Sequence, residues 1–271
     1  MKNACNRRSQ FPLFVTIGTL IFFYAPLLFV VIASFNKSKY GGRWSGFSLR
    51  WYEELFHTGA IWEALTNTLI IALVATLIST ALGTVAALAL YRGKGRLRGL
   101  HYALIYSPLI VPDILMGISL LLLFVSFGAM TESLLGFRLE LGMTTIIIAH
   151  VTFCMSYVCM VVLGRLQDFD YSLVEAAQDL GATPLQTFMK ITLPLISPGV
   201  IAGALFAFTL SIDDFVITFF VKGAGDTTLP IYIQSAMRRG TPAVINALSV
   251  VFLIMTFILV FVSQKLLENK K

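Results

Sequence analysis

Three of the chain's 14 acidic residues, Asp113, Asp213 and Asp214, lie within long apolar stretches. A charged Asp near the middle of a membrane helix costs roughly 2.5–3.5 kcal/mol on insertion scales, so all three are expected to face protein or water. Carboxylates along a membrane path favour a cation, as acidic rings do in cation channels. Carboxylates spaced along a route suit a long organic polycation, although the residues alone leave a metal ion open. Asp113 follows Pro112 in S-P-L-I-V-P-D-I, where two prolines withdraw backbone donors and free carbonyls mid-stretch. The simpler reading there is an Asp that locally caps a broken helix. Asp213 and Asp214 are adjacent, and project about 100° apart on a continuous helix. One is expected to face the path and the other a neighbouring helix or subunit. Phe208, Phe215 and Phe219 offer faces for ammonium groups by cation–π attraction, against the plainer expectation that they pack or face lipid.

Paired membrane aspartates can also share a proton and activate water for peptide hydrolysis, which needs two of them on separate helices about 3 Å apart. Asp113 with Asp213 is a formal candidate, but neither sits in a G-x-G-D context. His150 precedes Cys154 by one helical turn and so mimics a metal pair. Two donors fall short of the three or four ligands of a protein zinc site, so no metal is assigned and a histidine satisfied between helices is expected. Cys5, Cys154 and Cys159 are too dispersed for a disulfide framework. No G-x-x-x-x-G-K-[ST] pattern occurs, so nucleotide is expected to be bound by a partner and no cofactor by this chain.

These groups need helices to position them. With 57% apolar residues in 271, an ordinary soluble fold is excluded. Six stretches reach the roughly 20 residues that cross a bilayer, near 11–35, 65–91, 102–127, 143–164, 199–221 and 243–263. The first follows Lys2, Arg7 and Arg8 but outruns a typical signal-peptide core, so it is read as an uncleaved span. Six spans put both termini on one side. With the N-terminus inside, 12 of the 20 basic residues fall inside, including Arg92, Lys94, Arg96 and Arg98 in one short loop without an acidic residue. The positive-inside bias therefore places both termini in the cytoplasm. The net charge of +6 is explained by lipid headgroups, and no nucleic-acid partner is read from it.

Between the fourth and fifth spans lies a polar interval, 165–198. Leu166, Phe169, Leu173, Ala177 and Leu180 recur at steps of three and four, predicting one stripe of an amphipathic helix. Gly181 stands where a helix ends through the left-handed region, and Thr183-Pro184 restarts one as cap and first-turn proline. Pro194 and Pro198 are expected to close the interval before the chain re-enters apolar sequence. A compact helical hairpin of this kind is either a knob for a partner or a loop lying on lipid.

Here the residues resemble a known motif. Glu175-Ala176-Ala177, three residues, Gly181, nine residues, Ile191, one residue and Leu193-Pro194 are similar to the E-A-A loop of membrane subunits of ABC importers. The resemblance implies that the short helix docks on a cytoplasmic ATPase, with Glu175, Ala176, Ala177, Asp179 and Gly181 in the coupling role. S-F-N at 34–36, W-Y at 51–52, S-P-L-I-V-P-D-I at 107–114, H-V-T-F-C at 150–154, F-T-L-S-I-D-D-F at 208–215, T-L-P at 228–230 and I-N-A-L at 245–248 together resemble a permease subunit of bacterial spermidine/putrescine importers. That likeness runs from residue 14 to 264. It implies an all-α integral membrane protein with the type I importer permease fold, forming one transmembrane domain over 1–271. It also implies a second homologous permease, two cytoplasmic ATP-binding subunits, an extracytoplasmic polyamine-binding protein and membrane lipid as partners, and no catalysis by this chain. Its setting would be the bacterial inner membrane.

Rival readings are the same class with a metal cation or other small solute as cargo, the aspartyl protease, and a proton- or sodium-coupled transporter working alone. The last is disfavoured by the absence of an evident inverted repeat. Among the connections, 36–62 holds Trp44, Trp51 and Trp62, read first as interface anchors and otherwise as a surface for an outside partner. The stretch 128–142 is expected to include a short interfacial helix, and 222–241 to be re-entrant or irregular around Gly223, Gly225 and Pro230.

Overall fold

A computed structural model describes residues 11–39, 43–93, 95–240 and 242–268. Nearly all of them are helical, and the isolated β-bridge they contain joins Asn36 to Phe47. In chain order the helices are α1 (Phe11–Ser34), α2 (Arg50–His57), α3 (Gly59–Arg92), α4 (Arg98–Ile110), α5 (Asp113–Leu135), α6 (Met143–Gln167), α7 (Ser172–Asp179), α8 (Pro184–Thr187), α9 (Leu193–Asp213), α10 (Val216–Val221), α11 (Leu229–Arg238) and α12 (Pro242–Glu268). Among the described residues five helices are long and apolar enough to cross a membrane, and Ala243–Ile258 within α12 adds a shorter apolar stretch. The fold is all-α and membrane-spanning.

Two compact units form, Ala60–Tyr232 and the remainder of the described chain. The larger is built on α6, whose Ile146, Ala149, His150, Cys154, Val158, Cys159 and Val162 are buried. Helices α3 and α9 reach α6 through glycine. A Cβ on Gly83 would stand 2.7 Å from Val158 Cβ, and one on Gly203 would stand 3.3 Å from Val158 Cγ1. In lipid, where apolar surface gains nothing by leaving water, such close backbone approach is what drives helices together.

Two expected spans are broken rather than continuous. The stretch 102–127 divides into α4 and α5, because Val111, held extended ahead of Pro112, takes φ −71° and ψ 128°. The stretch 199–221 divides into α9 and α10 at Asp214, whose φ is −66° and ψ 123°. The projection of Asp213 and Asp214 from one continuous helix is therefore corrected.

Pro194 and Pro198 do not close the polar interval. Helix runs on from Pro184 to Asp213 through a π turn at Phe188–Thr192, where the Leu193 N–H reaches back to the Phe188 carbonyl. The hydrogen-bond ladder has thus already slipped by one residue where Pro194, with no N–H to give, enters. Elsewhere, α3 begins at Gly59, ahead of the expected 65. Helix α5 continues through Gly128 to Leu135 in place of a separate interfacial helix, and 222–241 contains the regular helix α11.

In the smaller unit, α12 packs along α1 and α2. Trp51 of α2 is 1% exposed, against Ala243 and Ala247 of α12, and its indole N–H donates to the Asn36 carbonyl at 2.7 Å. This overturns the interface-anchor reading for Trp51, because the small alanines leave a slot that admits the ring. Trp44 and Trp62 are exposed.

Candidate functional site

The two helix breaks meet at one cavity of about 270 Å³. Asp113, Asp213, Asp214 and Phe215 all line it, with Phe153 and Tyr157 of α6. Asp113 is the first residue of α5, Asp213 the last of α9, and Asp214 and Phe215 form the link to α10. Phe215 also stacks obliquely with Phe219, ring centres 5.7 Å apart. Phe208 is half-buried on α9 and is not among the cavity-lining residues.

The adjacent aspartates live in different chemistry. Asp214 accepts hydrogen bonds from the Thr218 N–H at 2.8 Å, the Thr218 hydroxyl at 2.7 Å and the Ile217 N–H at 3.3 Å, so it caps the first turn of α10. His150 Nε2 lies 3.3 Å from the same carboxylate. Asp213 and Asp113 are exposed and, among the described residues, have no hydrogen bond or ion pair through their side chains. One carboxylate is consumed internally, while two are left facing the cavity.

The sequence context of His150 does not single it out for this site, yet it fastens the break. Its Nδ1 lies 2.7 Å from Ser211 Oγ on α9 and its Nε2 2.9 Å from Thr218 Oγ1 on α10. The single Thr218 hydroxyl proton goes to Asp214, so Thr218 Oγ1 must accept from His150 and Nε2 must carry a proton. Both ring nitrogens are thereby used, as expected of a histidine satisfied between helices. Cys154 Sγ instead meets the Ala207 carbonyl at 3.5 Å. Among the described residues no group of three or more His, Cys, Asp or Glu side chains is arranged to hold a metal ion.

The second feature is the hairpin of α7 and α8. The Asp170 carboxylate accepts the Ser172 N–H at 2.9 Å ahead of α7. Hydrogen bonds from the Ser172 side chain and backbone hold its carboxyl below the usual Asp value. At the other end Gly181 has φ 83°, its N–H donates to the Gln178 carbonyl at 2.9 Å, and the Ala182 N–H donates to the Ala177 carbonyl at 3.0 Å. This pair of bonds is a Schellman motif, which needs the left-handed residue that glycine supplies. Thr183 and Gln186 then exchange backbone and side-chain bonds in a capping box that starts α8 at Pro184.

The expected single stripe does not form. Leu166 lies in the last turn of α6, and α7 buries Val174 and Ala177 instead, leaving Leu173 44% and Leu180 89% exposed. The chain leaves helical pairing between Asp168 and Tyr171, so the phase of the stripe is lost. Glu175, Ala176 and Asp179 are exposed on α7, and Leu185 and Met189 project beyond the turn. The patch of Leu180, Leu185 and Met189 escapes a reading that follows the helix period alone. Its signal is large apolar residues flanking a glycine turn.

Comparison with known proteins agrees with this architecture. Residues 79–270 match the family described as binding-protein-dependent transport system inner membrane component. The putrescine transport system permease protein PotI of Escherichia coli strain K12 is 46% identical over 255 residues, covering 93% of this chain and 89% of that protein. The spermidine/putrescine transport system permease protein PotC of Haemophilus influenzae is 37% identical over 243 residues, covering 90% and 91%. Among solved structures, a bacterial alginate ABC transporter in complex with an alginate pentasaccharide-bound periplasmic protein superposes with TM-score 0.75 at 18% identity, covering 93% of this chain and 90% of its own. That likeness bears on fold alone. The relatives are transport permeases and not enzymes, and the family's transport depends on a binding protein. On the family match and these identities over nine-tenths of its length, this multi-pass membrane chain belongs to the binding-protein-dependent transport system inner membrane components, the permease subunits of ABC importers.

Proposed function

We propose that this chain is a pathway subunit of an ATP-driven importer of polyamines such as putrescine and spermidine. The observation that carries this reading is the cavity at the helix breaks, where two unpartnered carboxylates, Asp113 and Asp213, face aromatic side chains. An amine cargo supplies the missing opposite charge there, and Phe215, Phe153 and Tyr157 supply cation–π faces and apolar walls for its methylenes. Asp214 and Phe208 belong to the same path segment in this reading. The names of the relatives, putrescine and spermidine/putrescine permeases, support the cargo class.

In this reading a second homologous permease completes the path, a binding protein outside delivers the amine, and both termini lie in the cytoplasm. Two ATPases grip the hairpins of the two permeases, here through Glu175, Ala176, Ala177, Asp179 and Gly181. A tighter grip in the ATP-bound state than after hydrolysis is what turns closure of the ATPases into movement of the spans. The whole chain acts as one transmembrane domain.

The test is uptake of labelled putrescine and spermidine by cells lacking their own importers, supplied with this chain and its neighbouring operon genes. Wild type is expected to import. Glu175→Lys is expected to abolish uptake while the complex still assembles. No polyamine uptake by an assembled wild-type complex removes the cargo assignment.

A further inference from the structure

We propose that the groove between the end of α3 and the start of α4 seats one anionic phospholipid, with an acyl chain in the groove and the phosphate on Arg98 and His101. The inference goes beyond the cargo reading and does not depend on it.

The groove encloses about 380 Å³, within the roughly 300–1,000 Å³ usual for small-molecule sites. Ala86, Ala89 and Leu90 line it from α3, and Leu104 and Ile105 from α4. The space exists because the two alanines, with Gly93 and Gly95 in the link, offer little or no side chain to fill it. Polar side chains enter its lining only at Arg98 and His101, three residues apart and so on one face of the first turn of α4. Beside the groove Leu97, Leu100 and Leu104 are each more than half exposed, a stripe that suits hydrocarbon and not water.

Charge complementarity names the occupant. Arg92, Arg96, Arg98 and His101 are exposed, and among the described residues no carboxylate pairs with them. The sequence from Ala64 to Pro112 contains no acidic residue at all. The guanidinium carbon of Arg98 stands 5.5 Å from the Tyr102 ring centre. That contact steadies the side chain and leaves its fork of N–H groups for a phosphate. Arg98 also opens α4, where the helix dipole disfavours a cation, and a bound anion reverses that penalty.

The chain path puts the groove beside headgroups. Helices α4 and α5 return the chain between α3 and α6, so the end of α3 lies at the same end of the spans as the hairpin that follows α6. In the orientation proposed above this is the cytoplasmic leaflet, whose anionic lipids are drawn to basic pockets between spans. A phospholipid meets both parts of the site with one molecule. An acidic segment of the ATPase would answer the arginines but leave the apolar floor uncovered.

The test is native mass spectrometry of the assembled importer, titrated with dioleoyl phosphatidylglycerol or dioleoyl phosphatidylcholine. Wild type is expected to hold phosphatidylglycerol at least about fivefold more tightly, and Arg98→Gln to lose about fivefold, the worth of one cation at the membrane surface. Arg98→Lys is expected to keep most of the affinity. Ala89→Phe fills the groove without changing charge, and is expected to weaken both lipids. Arg239→Gln, a basic residue outside the groove, is expected to stay within twofold of wild type. Arg98 and Ala89 are exposed, so both variants are expected to assemble. Equal affinities for the two lipids, or no change in both Arg98→Gln and Ala89→Phe, overturn the inference. Displacement of the lipid by an equal concentration of glycerol 3-phosphate overturns it too, because the site then holds a phosphate and no chain. Phosphatidylglycerol binding that appears only after the ATPases are stripped away assigns the groove to the ATPase instead. None of these readouts involves uptake, so a failed cargo assignment leaves the inference standing.

Discussion

Leu180 is 89% exposed at the turn of the hairpin. Replacing it with Ser is expected to weaken ATPase docking while leaving this chain folded, because almost none of the side chain is packed within its own protein. Fully burying a leucine on docking is worth roughly 1.5–3 kcal/mol. At 1.4 kcal/mol per tenfold, its loss corresponds to about a 10- to 150-fold drop in affinity if the whole side chain is covered. Partial covering scales the figure down, so about tenfold is the floor only for a fully covered side chain. The assay is titration of the purified permease pair with its ATPase in detergent, together with thermal unfolding of the permease to check its fold. An affinity within about twofold of wild type, at unchanged thermal stability, refutes the idea that the exposed apolar turn is the gripped surface.

Two further outcomes test the local physics. Gly181→Ala places an L side chain at φ 83° with no atom within 4 Å of the new Cβ, so strain alone acts, about 1–2 kcal/mol. Hydrogen exchange at Gln178–Ala182 should quicken about 5- to 30-fold, and Gly181→Asn should recover part of it, since Asn tolerates the left-handed region. Trp51→Phe deletes the buried N–H donated to the Asn36 carbonyl. It is expected to cost about 1–3 kcal/mol in thermal or denaturant unfolding of the solubilised protein, against no change if the ring acts only as a membrane anchor.

Local chemistry makes much of the hairpin legible from residue types. Gly181, Thr183 and Pro184 act on bonds spanning no more than five residues, so their types alone announce a left-handed stop and a capped restart. The membrane class is legible too, because crossing hydrocarbon demands length and apolarity, and both are additive along a chain. The proline reading fails at Pro194 and Pro198 because a π turn lets the helix absorb them, and nothing in the local residue types signals that slip. Trp51 departs from expectation for a similar reason, since its slot is made by Ala243 and Ala247, far along the chain.

The cavity shows the same boundary most sharply. From the sequence alone come the carboxylates, their cost inside a membrane and hence their need for a partner or a cation. Which aspartate receives the partner is decided by packing. His150 meets Ser211 and Thr218 across 61 and 68 residues of chain, and those contacts exist only once α6 lies against α9 and α10. Two neighbours of identical type, Asp213 and Asp214, carry the same local signal. A long-range hydrogen-bond network holds one of them and leaves the other exposed at the cavity, because each donor can be placed only by the helix that bears it.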